Sequence, residues 1–309
     1  MNFSPLFWPI ELKGKTIFIL DETLLPHKVR YIKVKGYLGA SGAIKEMKTR
    51  AVGQVLLVFY TFLLEASKNK GIKHLEKVAE AIIATRPTLA FKVLTDMIMG
   101  WVRNGLPLEK HILGFLEGLK NKRIQQAKKL SELLKDEDVI LTHCNISGLL
   151  PLVAEFCRQA HKKVAFFATE TRPYLQGSRL TAWELKQAGF DVTLITDNMA
   201  AQVMAEGKIN KVVVGADHLA LNGDIANKIG TYQIAVLAKH FQIPFYVVCP
   251  PASRAKTGGE IKIEVRPDSE MLEISGIRIA PIGAKGYYPA FDITPNELIT
   301  EHIYMEMEK

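Results

Sequence analysis

The chain has 309 residues, of which 48% are hydrophobic and 23% charged, with a formal charge of +8. That length holds two cores, and the composition excludes disordered, collagen-like and membrane-embedded classes. The positive charge is scattered, and its densest run, LKNKRIQQAKKLSELLK at 119–135, has the spacing of a solvated amphipathic helix. It lacks the interleaved aromatics of a nucleic-acid surface, so no nucleic-acid partner is expected; a modest positive excess suits anionic, phosphorylated substrates. Cys144, Cys157 and Cys249 are far apart with no CxxC pair. That pattern argues against a disulfide framework and a zinc site, and for a reducing compartment. No basic region leads into an apolar core near MNFSPLFWPIELKGK, and no apolar run is long enough to span a bilayer, so the expected location is the cytoplasm.

In chain order, residues 16–36 (TIFILDETLLPHKVRYIKVKG) read as a hairpin or a pair of short strands. From about Ser41 to Lys135 apolar residues recur at three and four, in AIKEMKTRAVGQVLLVFYTFLLEASK, HLEKVAEAIIA, TLAFKVLTDMIMGWVRN and the basic run. Gly71, Arg86-Pro87 and Pro107 punctuate them. The expectation is a mostly helical N-terminal domain over 1–135 with a small β lead-in. From 136 to 309 strands and helices alternate: DVILTHC, GLLPLVAEFCRQAH, KVAFFATE, RLTAWELKQAG, DVTLITD, AAQVMAEG, KVVVGAD, NKIGTYQIAVLAKHF, FYVVC. This predicts an α/β domain built on a Rossmann-like, doubly wound parallel sheet. EIKIEVR near 263 is read as an added edge strand, and PNELITEHIYMEM as a closing helix with Pro295 in its first turn.

Polar and reactive residues gather where the predicted strands end: His143-Cys144-Asn145, Thr169-Glu170-Thr171-Arg172, Asp197-Asn198, Asp217 and Cys249-Pro250. Such folds bind ligands at those ends. Cys144, between a strand and a helix, is either a thiol activated by the helix N-terminus or a buried structural cysteine. His143 is next to it in sequence and so points to the opposite face, which favours packing over pairing. Asp217 either caps its loop or, against apolar walls that raise its pKa, serves as an acid or base. Asn227 and Lys228, read as opening a helix, suit a phosphate or a sugar hydroxyl. Arg50 and Arg86, in the helical domain, reach the site only if the two domains face each other. GxGxxG after the first of these strands, GxxxxGK[ST] and GxSxG are all missing, so dinucleotide, P-loop and hydrolase-elbow readings lapse.

ILTHCN (140–145), ETRPYLQGSRLTAWEL (170–185), DVTLITDNMAA (191–201), GADHLALNGDIANKIGT (215–231), LDETLLPHKVRYIKVK (20–35), TRPT (85–88) and PAFDITPNELIT (289–300) resemble the methylthioribose-1-phosphate isomerase family. Relatives on that fold include ribose-1,5-bisphosphate isomerases and regulatory subunits of a translation-initiation exchange factor. The resemblance implies a cofactor-free aldose–ketose isomerase acting on a furanose 1-phosphate as a homodimer. By motif, Cys144 and Asp217 become the catalytic pair, and Arg50, Arg86, Gln176, Asn227 and Lys228 the substrate and phosphate contacts. One of the pair would protonate the ring oxygen and the other take the 2-hydroxyl proton. Hydrogen would pass from C2 to C1, as a hydride or through an enediol.

The chain departs from the family pattern beside those residues. Arg50-Ala51-Val52-Gly53 stands where the isomerases have Arg-Gly-Ala-Pro, the loop after Cys144 is shortened to NISGLLP, and Leu89-Ala90-Phe91 replaces an asparagine-bearing segment. These changes widen the expected substrate to other 5-substituted or 5-deoxy pentose 1-phosphates. A bisphosphate isomerase and a non-catalytic subunit that senses a sugar phosphate or nucleotide are the alternatives.

Overall fold

The structure, a computed structural model, describes residues 3–87 and 91–305. Thr88 of the TRPT motif and the departures at Leu89 and Ala90 lie outside the described residues, as does Met307 at the end of the predicted closing helix. The chain divides into two compact units, residues 1–124 with 147–149, and residues 125–146 with 150–309.

The first unit opens with an antiparallel sheet of β1 (Ile10–Lys13), β2 (Thr16–Leu20) and β3 (Tyr31–Val34), in that order. The predicted pair of strands is thus joined by a third from upstream. α1 (Tyr37–Lys45), α2 (Val52–Ala66), α3 (Ile72–Ile83), α4 (Phe91–Arg103) and the start of α5 (Leu108–Leu133) follow. α2 is apolar nearly all round, with Leu56, Leu57, Val58, Phe59 and Phe62 fully buried, and forms the centre of this core. α3 buries only Leu75, Val78, Ala79 and Ile82, one stripe at helical spacing.

The second unit carries β4 (Asp138–Thr142), α6 (Leu149–Gln159), β5 (Val164–Thr169), α7 (Ala182–Gln187), β6 (Val192–Ile195), α8 (Ala200–Ala205) and β7 (Lys211–Gly215). Next come β8 (His218–Leu219), β9 (Ile225–Lys228), α9 (Thr231–His240) and β10 (Phe245–Val248). A short α10 (Ser269–Leu272), β11 (Glu273–Ile274), β12 (Ile277–Arg278), β13 (Phe291–Thr294) and β14 (Glu301–Ile303) complete it. The main sheet has six strands in the order β14-β10-β7-β4-β5-β6, every neighbouring pair parallel. Val212, Val213 and Val214 are fully buried, as a strand covered on both faces requires. The chain moves outward from β4 through β5 to β6, then returns to place β7 on the other side of β4. That reversal is a topological switch point.

Three expectations fail, the first two because a distant pairing overrides local spacing. Asn227 and Lys228 do not open a helix: they end β9, which pairs with β13, and α9 starts at Thr231 after Gly230 turns the chain in the left-handed region (φ +104°). Among the described residues the closing helix does not form, since residues 296–298 make one 3-10 turn and Glu301–Ile303 form β14. Thr300, Ile303 and their neighbours fill the open sheet edge beside β10, and that ladder outweighs a short helical period. EIKIEVR forms no strand; only Val265 bridges Pro289, while Ile261 and Ile263 pack on Ala226 and Phe291.

Candidate active site

β4 and β7 are neighbours across the switch point, so the segments leaving their carboxyl ends emerge side by side. One carries Cys144 and the other Asp217. Ile146, two residues after Cys144, stands 3.5 Å from where a Cβ on Gly215 would be, so the two segments run close together.

Cys144 is buried and adopts a left-handed backbone (φ +66°), a conformation rare for a side-chain-bearing residue. The loop after β5 holds it there. The Cys144 amide donates to Thr171 Oγ1 at 2.9 Å, and the Thr181 hydroxyl donates to the Cys144 carbonyl at 2.6 Å. Asp197 fixes that loop, accepting the amides of Thr171 and Arg172, each at 2.7 Å. Gly177 lets the loop close onto β5: a Cβ there would stand 1.7 Å from the Thr169 carbonyl oxygen. Gln176 rides on this loop, buried, and its Oε1 has no hydrogen-bond partner. A buried amide oxygen of that kind is an acceptor suited to a sugar hydroxyl.

His143 is committed elsewhere. Its Nε2 lies 2.9 Å from the Ile229 carbonyl and must donate, so Nδ1 accepts from the Thr169 hydroxyl at 2.6 Å. Burial pushes the imidazole below its ordinary pKa, against the pull of Asp197, and keeps it neutral. Both ring nitrogens are thus held by the second unit's own groups, although His143 and Cys144 lie past the end of β4 and strand alternation does not govern them.

Asp217 is exposed, so the apolar walls expected around it are not there. Its amide donates to the Ala226 carbonyl at 2.9 Å, which sets it beside Asn227 at the open end of the β8–β9 ladder. Asn227 is buried and donates from Nδ2 to Thr231 Oγ1 at 2.9 Å. Lys228 is buried as well. Its ammonium donates to the Tyr288 hydroxyl at 3.2 Å and stands 5.0 to 5.9 Å from the ring centres of Phe291, Tyr288 and Tyr174.

Arg50 and Arg86 belong to the first unit and are brought together there. Arg50 donates from Nε to Glu22 Oε2 at 3.0 Å, and Glu22 also accepts the Thr49 hydroxyl and the Arg50 amide. Burial pushes the Glu22 carboxyl up while Arg50 and Thr49 pull it down. Gln54 donates to the Thr49 carbonyl at 3.0 Å, and its Oε1 accepts Arg86 Nη1 at 3.4 Å. Spacing in the sequence gave no sign of Glu22, Thr181 or Tyr288, because each acts through a partner far along the chain.

In chemical terms the second unit offers a thiol, a carboxylate, an ammonium and two carboxamides near one switch point, and the first offers two guanidinium groups. Among the described residues no cluster of three His, Cys, Asp or Glu is placed to hold a metal. Nor is any helix among them long and apolar enough to cross a membrane.

Residues 48–304 match the model of the initiation factor 2 subunit family. A methylthioribose-1-phosphate isomerase from Thermosipho africanus (strain TCF52B) is 40% identical over 323 residues, covering 94% of this chain and 91% of that protein. The crystal structure of 5-methylthioribose 1-phosphate isomerase from Pyrococcus horikoshii OT3 superposes with a TM-score of 0.84 at 31% identity, covering 99% of this chain and 94% of that one. The structure described as translation initiation factor eIF-2B, subunit delta, from A. fulgidus has a TM-score of 0.83 at 34% identity, covering 97% and 94%.

Proposed function

We propose that this chain, which belongs to the initiation factor 2 subunit family, is an aldose–ketose isomerase that converts 5-methylthioribose 1-phosphate to the ribulose 1-phosphate. The observation that carries the reading is the emergence of Cys144 and Asp217 from adjacent strand ends, β4 and β7, at the switch point. Identity of 40% to a relative named for this reaction supports the same substrate.

A phosphate on the anomeric carbon blocks spontaneous ring opening, so the enzyme must open the ring itself. In this reading one member of the Cys144–Asp217 pair delivers a proton to the ring oxygen as its bond to C1 breaks. The hydrogen on C2 passes to C1, and the other member takes the 2-hydroxyl proton as C2 becomes a carbonyl. Atoms and charge balance, and no cofactor enters. Lys228 would bind the phosphate, while Asn227 and the unpartnered Gln176 Oε1 would meet sugar hydroxyls; the resemblance of their own motifs gives Arg50 and Arg86 a phosphate-contact role as well. A homodimer in the cytoplasm is part of this reading; the wide spacing of Cys144, Cys157 and Cys249, with no CxxC pair, fits a reducing compartment.

The test is ketose formation from methylthioribose 1-phosphate, 5-deoxyribose 1-phosphate and ribose 1,5-bisphosphate. Cys144→Ser and Asp217→Asn should each abolish turnover while substrate still raises the thermal midpoint. The A. fulgidus structure, an initiation-factor subunit by name, favours a second reading, a non-catalytic subunit that senses a sugar phosphate. Silence on all three sugars would select it.

A further inference from the structure

We propose that Tyr288 is a positioning residue for Lys228, its phenolic hydroxyl fixing the lysine ammonium in the pose that meets the sugar phosphate. The inference rests on the isomerase reading and on Lys228 as a phosphate contact. A lysine carries its charge on a flexible four-carbon stem, so a fixed pose needs a partner at the tip. Tyr288 supplies one: its hydroxyl accepts the Lys228 ammonium at 3.2 Å, and it is 1% exposed. A phenol suits the task better than a carboxylate, because it orients the ammonium without neutralising the charge that the phosphate must find. Burial pushes the Tyr288 phenol far above its ordinary range, and Tyr174, Glu270 and the Cys144 thiol push the same way. The hydroxyl therefore stays neutral, and the thiol lies within its electrostatic reach.

The walls around the ammonium are tied together by one arginine. The Arg266 amide donates to the Tyr288 carbonyl at 2.9 Å, and its Nη2 donates to the Tyr174 hydroxyl at 2.6 Å. That hydroxyl donates to Glu270 Oε2 at 2.7 Å, and Glu264 and Glu270 both pair with Arg266. Tyr174 and Tyr288 meet edge to face at 6.2 Å, and Phe291 is paired with Lys228 in the β9–β13 ladder. The three rings add cation–π attraction to that hydrogen bond.

The experiment compares wild type, Tyr288→Phe, Tyr174→Phe, Lys228→Met and the Tyr288→Phe/Lys228→Met double variant on methylthioribose 1-phosphate. Tyr288→Phe should raise KM about tenfold with kcat within about twofold, the signature of lost uniform binding. Tyr174→Phe leaves the Lys228 hydrogen bond and the ring in place and loosens only the wall behind them, so it should raise KM clearly less than Tyr288→Phe does. In the Lys228→Met background, Tyr288→Phe should add nothing to KM, because the hydroxyl then has no ammonium to hold. A wild-type KM in Tyr288→Phe overturns the inference, as does an equal rise in Tyr174→Phe or an additive double variant. So does a drop in the Tyr288→Phe thermal midpoint of more than about 10 °C, which marks a structural role. Each of these results leaves the isomerase reading intact. An inactive wild type overturns both together.

Discussion

Ala51→Gly should stabilise the protein, against the usual effect of introducing a glycine. Ala51 sits at φ +43°, ψ −117°, and the Gly53 amide donates to the Arg50 carbonyl at 2.8 Å. Residues 50–53 therefore form a type II′ turn whose first central position requires φ > 0 and is ordinarily glycine. Holding an alanine there costs about 1–3 kcal/mol. Glycine loses about 0.4–1 kcal/mol more than alanine in backbone freedom on folding. The Ala51 methyl is exposed, so its removal opens no cavity. The net gain is about 1 kcal/mol, which raises the thermal midpoint by roughly 2–4 °C. Ala51→Val, branched at Cβ in the same conformation, should lower it. Differential scanning calorimetry of the full chain decides by sign. A midpoint that falls in Ala51→Gly, as for a glycine placed inside a helix, would refute the strained turn. KM should stay within about twofold, since the turn presenting Arg50 keeps its shape.

Gly177→Ala should abolish turnover and destabilise the second unit, because its Cβ meets the Thr169 carbonyl; wild-type activity would mean that the loop does not close on β5. Glu22→Gln keeps the volume but removes the anion holding Arg50 Nε, and should raise KM by about tenfold with the circular dichroism spectrum unchanged. Folded His143 titrates below its ordinary 6.5, so the unfolded chain binds that proton first and the His143 contribution is lost as pH falls below 6.5. Asp292 runs the other way: burial raises it from 3.8 to about 6, so its contribution is present at low pH and lost as pH rises through that window. Urea midpoints between about pH 4.5 and 7, relative to wild type, should rise on acidification in His143→Gln and fall in Asp292→Asn; parallel curves would contradict both assignments.

What could be read from the chain alone was what local spacing controls. The valine run at 212–214, the apolar stripe of α3 and the polar strand ends all stand where their periodicity put them. Misreadings came where a segment's state depends on a partner far away. Asn227-Lys228 looks like a helix opening until Phe291 and Asp292 pair with it, more than sixty positions on. Residues 301–303 look helical until the bare edge of β10 claims them. The same dependence governs the candidate site. Cys144 and Asp217 lie in segments whose adjacency follows from β7 returning beside β4 instead of continuing past β6, and strand order is not written in any local pattern. Lys228 draws one of its rings from Phe291, on the strand that makes residues 225–228 a strand, and its orienting group from Tyr288, three positions before that strand begins. The pairing that defeated the helix reading at Asn227-Lys228 is therefore the one that carries Tyr288 and Phe291 to the ammonium.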